Sequence, residues 1–280
     1  MGHRSRRFVP PLSLRFKVLN HTSHRGVFFG PRHTQSKRMN CKHAVILAAG
    51  LGSRLDAPEG HKLLAVIGEQ SLLQHHLDGF SEMGVQKVVI VSGYKAQDLN
   101  AAVLAYESDI EIEVVINRDY EKSNGLSVLS GASMIPDEHF WLTMGDHYFE
   151  PRFYSALHTY SPAKGIEGML VVDQKLDTIY DMPDATKVRL DGTGKLEAIS
   201  KEIAPFDLVD CGMFWVKGGF LKTLERALKL SGDCSTSDAV KGLSAKDQFE
   251  FWDLGHHLWQ DVDTPGARHH AEKINAEIVR

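Results

Sequence analysis

The sequence predicts an α/β protein, with an open, mostly parallel sheet covered by helices and a smaller β-rich part after it. Three observations carry this. Apolar runs such as Ala-Val-Ile-Leu-Ala-Ala-Gly from Ala44 and Lys-Val-Val-Ile-Val-Ser-Gly-Tyr from Lys87 are short, continuous and rich in β-branched residues, as strands buried on both faces require. Stretches with helical spacing separate them, and strands alternating with helices imply right-handed parallel crossovers. After about residue 165 the pattern changes to short strands joined by turns.

Taken in order, residues 43–49 form the first strand and run into a glycine-rich loop at 50–54. Residues 71–83 are helical, with Leu72, Leu73, His76 and Phe80 on one face. Strand 87–92, helix 96–106, strand 113–117, helix 125–134 and strand 140–144 follow. In the β-rich part, 168–173, 186–190, 195–200 and 211–216 are strands, and Asp191-Gly192-Thr193-Gly194 is the turn between the second and third. Residues 220–230 and 266–278 are helices, and 259–263 follows a short apolar strand. No repeat or flexible linker interrupts this order, so residues 39–280 are read as one compact domain.

A chain of 280 residues can bury a full core. No apolar run approaches the roughly 20 residues needed to cross a bilayer, so the protein is not expected to be membrane-embedded. Cys41, Cys211 and Cys234 form no Cys-x-x-Cys pair, which argues against a disulfide framework or zinc site and for a reducing cytoplasm. Charge is unevenly distributed. Residues 1–38 hold nine Lys or Arg, four His and no carboxylate, leaving 23 basic against 36 acidic residues beyond them, a net of −13. So acidic a body does not suit nucleic acid. The arm is read as basic and irregular; a targeting peptide, or upstream sequence ahead of a start at Met39, are the alternatives.

The strongest local signal is Leu47-Ala48-Ala49-Gly50-Leu51-Gly52-Ser53-Arg54. Small residues at the end of a buried strand let backbone N–H groups approach a triphosphate closely and cradle it. Arg54 and Lys62 add positive charge where negative charge grows during phosphoryl transfer. A dinucleotide fingerprint is excluded because position 55 is Leu, and a P-loop because Gly-Lys-Ser/Thr is absent. The bland alternative is a tight turn without a ligand.

Acidic residues supply the second signal. Asp146 follows a strand end in Thr143-Met144-Gly145-Asp146-His147, where a side chain points into the ligand crevice of an open α/β sheet. Asp261 and Asp263 would share a face if they lie on one strand. Magnesium takes one or two carboxylates plus phosphates and water, so one aspartate from each segment suffices. Alternatively Asp261 orients a neighbour and Asp263 caps the last helix. His256, His257, His269 and His270 are read as surface or packing residues.

These residues resemble the nucleotidyltransferases that activate sugars and alcohols. Their signature, A-A-G-x-G-[ST]-R followed by P-K-x-L, is met by Ala48 to Arg54 and by Lys62, with His61 in place of Pro. The resemblance implies a Rossmann-like sheet of the nucleotide-diphospho-sugar transferase type. Asn124-Gly125-Leu126-Ser127, Thr-Met-Gly-Asp-His at 143–147, Ala-Thr-Lys-Val at 185–188, Ile-Ser-Lys-Glu at 199–202, Val209 to Phe214 and Trp-Gln-Asp-Val-Asp-Thr at 259–264 look like the inositol-1-phosphate cytidylyltransferases, over residues 43–275. That likeness implies transfer of CMP from CTP to inositol 1-phosphate. Gly50, Gly52, Ser53, Arg54 and Lys62 match positions that hold the triphosphate, and Asn124, Gly125 and Ser127 a segment near base and ribose. Asp146 and Asp263 match ligands of Mg2+, while Lys187, Lys201 and Asp210 lie where the family handles the acceptor. Some members are fused to a membrane phosphotransferase, so a separate membrane CDP-alcohol phosphotransferase is the expected consumer of the product.

Other readings stay open on the residues alone. The acceptor could be phosphocholine, 2-aminoethylphosphonate or a sugar 1-phosphate; a cationic head would call for an aromatic wall, for which Trp141, Tyr148, Trp215 and Trp252 are candidates. Asp261-Val262-Asp263 mimics the Asp-x-Asp motif of glycosyltransferases, although it lies late in the chain. A nucleotide-binding module without catalysis would be expected to lack Lys62 or an aspartate, and this chain keeps them.

Overall fold

Apolar side chains alternate between two faces along β1 (His43–Ala48): Ala44 and Ile46 enter one core, Val45 and Leu47 the other. That alternation is why both sides of the sheet carry helices. The structure is a computed structural model and describes residues 41–50, 52, 54–55, 57–106 and 108–278. The basic arm, Leu51 and Ser53 therefore lie outside the described residues.

Following β1 come the short pair β2 (Val66–Ile67) and β3 (Gln70–Ser71), then α1 (Leu72–Glu82), β4 (Lys87–Ser92), α2 (Ala96–Leu104), β5 (Glu111–Ile116), α3 (Gly125–Ala132) and β6 (His139–Met144). Next are β7 (His147–Phe149), α4 (Pro151–Leu157), β8 (Gly168–Asp173), β9 (Lys187–Leu190), β10 (Leu196–Ser200), β11 (Leu208–Lys217), α5 (Gly218–Ser231), α6 (Thr236–Ser244), β12 (Phe249–Asp253), β13 (Trp259–Asp261) and α7 (Pro265–Ile278). Helix α1 begins where expected because Ser71 and Gln74 close a reciprocal capping box. Its expected face is its buried face: Leu72, Leu73, His76 and Phe80 are all inside.

Nine strands make one mixed sheet, ordered β10-β9-β11-β6-β1-β4-β5, with β8 on β11 and β12 on β8. The half containing β6, β1, β4 and β5 is parallel. Helices α1, α2, α4 and α7 cover one face; α3, α5 and α6 cover the other. The β-rich part is not a separate layer. It joins the main sheet through β11, which pairs antiparallel with β9 through Leu208 and Val209 and with β6 from Met213 to Lys217. The register of β11 against β8 shifts between Asp210 and Phe214, where Gly212 takes a positive φ of 72°. A Cβ there would lie 2.7 Å from the His147 ring, so only glycine lets β11 pass beside that residue.

The elements β2, β3, β7, α4 and α6 are absent from the sequence reading. Helix α6 is nine residues long, and its one strong local signal is the Ser235–Asp238 capping box. Asp261 and Asp263 do not share a strand. Strand β13 ends at Asp261, which pairs with His147 of β7, and Asp263 lies beyond it. Two-residue alternation thus does not explain how Asp261 and Asp263 are aimed.

Candidate functional site

The parallel half presents the C-terminal ends of β1 and β6 side by side. Leu47 O accepts from Gly145 N at 2.8 Å, which ties the turn carrying Asp146 to the end of β1. Ala49 O accepts from Tyr94 N, and Ala48 O is bonded by His61 Nε2 at 3.1 Å. The His61 Nδ1 accepts from Leu63 N, so the ring clamps the segment before Lys62 at both its nitrogens. Burial lowers the His61 pKa, keeping the ring neutral and able to accept. Sequence reasoning treated His61 only as a missing proline; here it does by hydrogen bonding what proline does by ring closure.

Lys62 is the hub. Its Nζ lies 2.7 Å from Asp146 Oδ2 and is also paired with Asp263 Oδ1. Arg54 Nη2 is paired with Asp263 Oδ2 and lies 2.8 Å from Asp184 Oδ2. Asp146 and Asp263, 117 positions apart in the chain, therefore meet under the glycine loop. What brings them together is β13: it pairs with β7, and Val262 N donates to Asp146 O at 2.8 Å. Asp263 is free for this role because Thr264, not Asp263, caps α7 by accepting from Ala267 N.

Charge is strongly coupled here. Burial pushes the Asp146 carboxyl up, but Lys62 and His147 outweigh it and hold it well below the usual range. Burial alone would discharge His147; Asp261 and Asp146 raise its pKa instead, and its Nδ1 donates to Asp146 Oδ1 at 2.8 Å. Asp261 shifts the other way, raised by burial and by the charges of Asp146 and Asp184. Its Oδ1 is buried with no hydrogen-bond partner among the described residues.

Asp261 is common to two groups of side chains, among the described residues, that could share a cation. Ligand atoms of Asp146, His147 and Asp261 lie within 4.8 Å of one another, as do those of Asp184, Asp261 and Asp263. A carboxylate-rich set with an unsatisfied oxygen fits a hard divalent cation. Sequence reasoning quoted His147 only as the end of the Thr143–His147 motif and left Asp261 as either a metal ligand or an orienting residue. It passed over Asp184, which carries no local motif and reaches the others only through folding.

A cleft opens from this centre and is lined by Asp146, His147, Asp261 and Asp263 together with Asp181, Asp184, Lys201 and Asp210. Asn124 and Thr236 line its far end, where Asn124 Oδ1 accepts from Thr236 N at 2.9 Å. Gly125 and Ser127, expected beside the nucleotide, face inward. A Cβ on Gly125 would lie 2.5 Å from Cys234 O, and Ser127 Oγ accepts from the buried Asn117 amide. Lys201 and Asp210 open on the cleft, and burial raises the Asp210 pKa to about 6. Lys187 does not line it. Its Nζ is buried and donates to the carbonyls of Pro183, Ala185 and Lys201, at 3.3, 3.1 and 2.6 Å. Gly50 is exposed in the loop, and Gly52 lies against the Lys62 side chain. Of the proposed aromatic wall, Trp141, Tyr148 and Trp215 are core; the aromatic residue in the cleft is Trp259, stacked on His147 at 5.5 Å.

Residues 44–177 match the MobA-like NTP transferase domain. That match takes in 134 of the 280 residues. The fold recurs in the inositol-1-phosphate CTP transferase from T. maritima, with a TM-score of 0.73 at 23% identity, covering 85% of this chain and 98% of that one. The bifunctional IPC transferase and DIPP synthase of Aquifex aeolicus is 30% identical over 224 residues, 79% of this chain. The CMP-5'-(3-aminopropyl)phosphonate synthase of Streptomyces rubellomurinus is 27% identical over 242 residues, 82% of this chain. The chain spans about half of the Aquifex protein (49%) and 38% of the Streptomyces one. The expected mostly parallel, helix-flanked sheet is thus borne out, with an antiparallel part joined to it. Among the described residues no helix is long and apolar enough to cross a membrane.

Proposed function

We propose that the chain transfers CMP from CTP to inositol 1-phosphate, releasing pyrophosphate and CDP-inositol. The observation that carries this is Lys62 lying between Asp146 and Asp263 at the mouth of the glycine loop. The choice of substrates is supported by relatives whose names specify CTP, CMP and inositol 1-phosphate and which resemble this chain over most of its length.

The acceptor phosphate is largely dianionic at neutral pH and needs no general base. One of its oxygens forms a bond to the α-phosphorus of CTP. The bond from that phosphorus to the bridging α,β-oxygen breaks in line, and its electron pair leaves on pyrophosphate. Positioning and charge neutralisation therefore do the catalysis. Arg54 and Lys62 neutralise the growing charge on the leaving group. Asp146 and Asp263 would hold Mg2+, which when bound offsets the charge of the phosphate oxygens. Lys201 takes the acceptor phosphate, and Asp210 accepts hydrogen bonds from ring hydroxyls. Lys187 is a proposed acceptor residue only indirectly, through the carbonyls it pins. Gly50, Gly52, Ser53 and Asn124 would contact the nucleotide; Leu47, Ala48, Ala49, Gly125 and Ser127 shape the floor beneath it.

A second reading, in which the acceptor carries an amine, draws on the carboxylates Asp181, Asp184 and Asp210 and on Trp259 in the same cleft. A coupled pyrophosphate assay separates the two. CTP, UTP, GTP and ATP are each paired with inositol 1-phosphate, phosphocholine, 2-aminoethylphosphonate and a sugar 1-phosphate, with magnesium. The expected result is release from CTP with inositol 1-phosphate and little from the other pairs. No release from that pair would overturn the assignment. We place the reaction in the cytoplasm, as the first step toward an inositol phospholipid, with a separate membrane CDP-alcohol phosphotransferase consuming the product.

A further inference from the structure

Asp184 holds the two cations on which both substrates depend. Its Oδ2 lies 2.8 Å from Arg54 Nη2, and its Oδ1 lies 2.7 Å from Lys201 Nζ. Arg54 belongs to the glycine loop and Lys201 follows β10 in the lining of the cleft, so one carboxylate joins two cations from distant parts of the chain. This is an odd place for a negative charge, because the cleft has to admit a triphosphate on one side and a phosphate on the other. The surrounding strap, residues 174–186 between β8 and β9, explains how Asp184 is kept there. Asp184 N closes a turn on Asp181 O at 3.1 Å. Lys187 pins the flanking carbonyls of Pro183 and Ala185 from below. Tyr180 stacks on His270 of α7, with ring centroids 5.2 Å apart. Lys201 and Arg54 together outweigh burial and lower the Asp184 pKa, so the carboxylate is charged at neutral pH.

We propose that Asp184 is an internal stand-in for substrate phosphate, occupying Arg54 and Lys201 in the unliganded protein, weakening both anion sites and linking them. The first anion to arrive displaces the carboxylate from one cation. Held by only one partner, Asp184 is then more readily displaced from the other, so the cost of opening the ionic latch falls mainly on whichever anion binds first. Asp184 is a positioning residue and takes no part in bond making. The inference rests on the proposed function only for the identity of the two anions.

The test uses the full chain and binding rather than turnover. Tripolyphosphate and inorganic phosphate are titrated calorimetrically at low ionic strength, each alone and with the other present at saturation, into wild type and Asp184→Asn. Asparagine keeps the shape and removes the charge, and thermal unfolding checks that the fold is intact. Exposed ion pairs are worth a factor of about two to five in an equilibrium. Asp184→Asn should therefore bind each anion about two- to fivefold tighter, and each anion should help the other less than it does in wild type. In an Arg54→Gln background, Asp184→Asn should no longer tighten tripolyphosphate but should still tighten phosphate. Equal or weaker binding of both anions by Asp184→Asn, or no measurable binding of either, would overturn the proposal. Because no turnover is needed, tightened binding in a protein that releases no pyrophosphate would keep the latch and sink only the substrate assignment.

Discussion

The two walls of the cleft are built in opposite ways. The wall proposed for the nucleotide sits on the ends of parallel strands β1 and β6, where one backbone hydrogen bond, Gly145 N to Leu47 O, sets the Asp146 turn against the end of β1. The wall proposed for the acceptor is assembled from antiparallel strands and a long strap, with β11 kinked at Gly212 so that its two ends serve different neighbours. Two lysines show what that difference means. Lys62 on the first wall meets two carboxylates, and its ammonium faces the site. Lys187 on the second has the same charge but satisfies three backbone carbonyls, so it builds the wall instead of reading the ligand. Lys62 is thus held by carboxylates, whereas Lys187 is held by backbone carbonyls and ties together a segment without regular secondary structure.

The largest expected effect would break the comparison on the nucleotide side. Lys62→Ala and Asp146→Ala should each lower kcat by two to three decades, about 3–4 kcal/mol, as removal of one transition-state electrostatic contact does. Steady-state pyrophosphate release measures it, and near-normal turnover in either variant removes that residue from the mechanism. On the acceptor side, Lys187→Met should instead act on stability. Leaving buried carbonyls without their donor should cost about 2–3 kcal/mol in urea unfolding. If Lys187 contacted the acceptor directly, the acceptor KM would rise while the unfolding midpoint stayed put.

A third measurement sharpens the contrast beneath the nucleotide wall. His76 is fully buried between Gly145 O and the Tyr154 hydroxyl, and burial lowers its pKa to about 3. Its folded pKa lies below the unfolded value of 6.5. The stability it contributes is therefore complete above pH 6.5 and is lost as pH falls from there toward 3. That loss should follow a slope of about 1.4 kcal/mol per pH unit for one proton. Urea unfolding across that range should show the slope in wild type, and His76→Gln should lack this component. A parallel pH profile for the variant would place the uptake elsewhere. The smallest effect concerns His61. His61→Ala frees the segment before Lys62 and should lower kcat by about fivefold, close to 1 kcal/mol, whereas His61→Pro should recover part of it by stiffening the same turn. Equal activity in all three proteins would show that the ring only fills space.

The amino-acid order alone was enough for the parallel half of the fold, the run of small residues at the end of β1 and a carboxylate just past β6. Each depends on short-range pattern: apolar runs of strand length, small residues at a strand end, a carboxylate after a strand. The same reading went astray where pattern is weak. It weighed Asp261 and Asp263 as neighbours on one strand, passed over α6, and assigned Lys187 to the ligand. Tertiary structure decided that Asp146, Asp263, Arg54 and Lys62 form one ionic network, that Asp184 pairs with both Arg54 and Lys201, and that Asp261 holds an unsatisfied oxygen beside them. The physical reason is that charge pairing depends on distance in space, and residues more than a hundred positions apart reach that distance only after β13 pairs with β7.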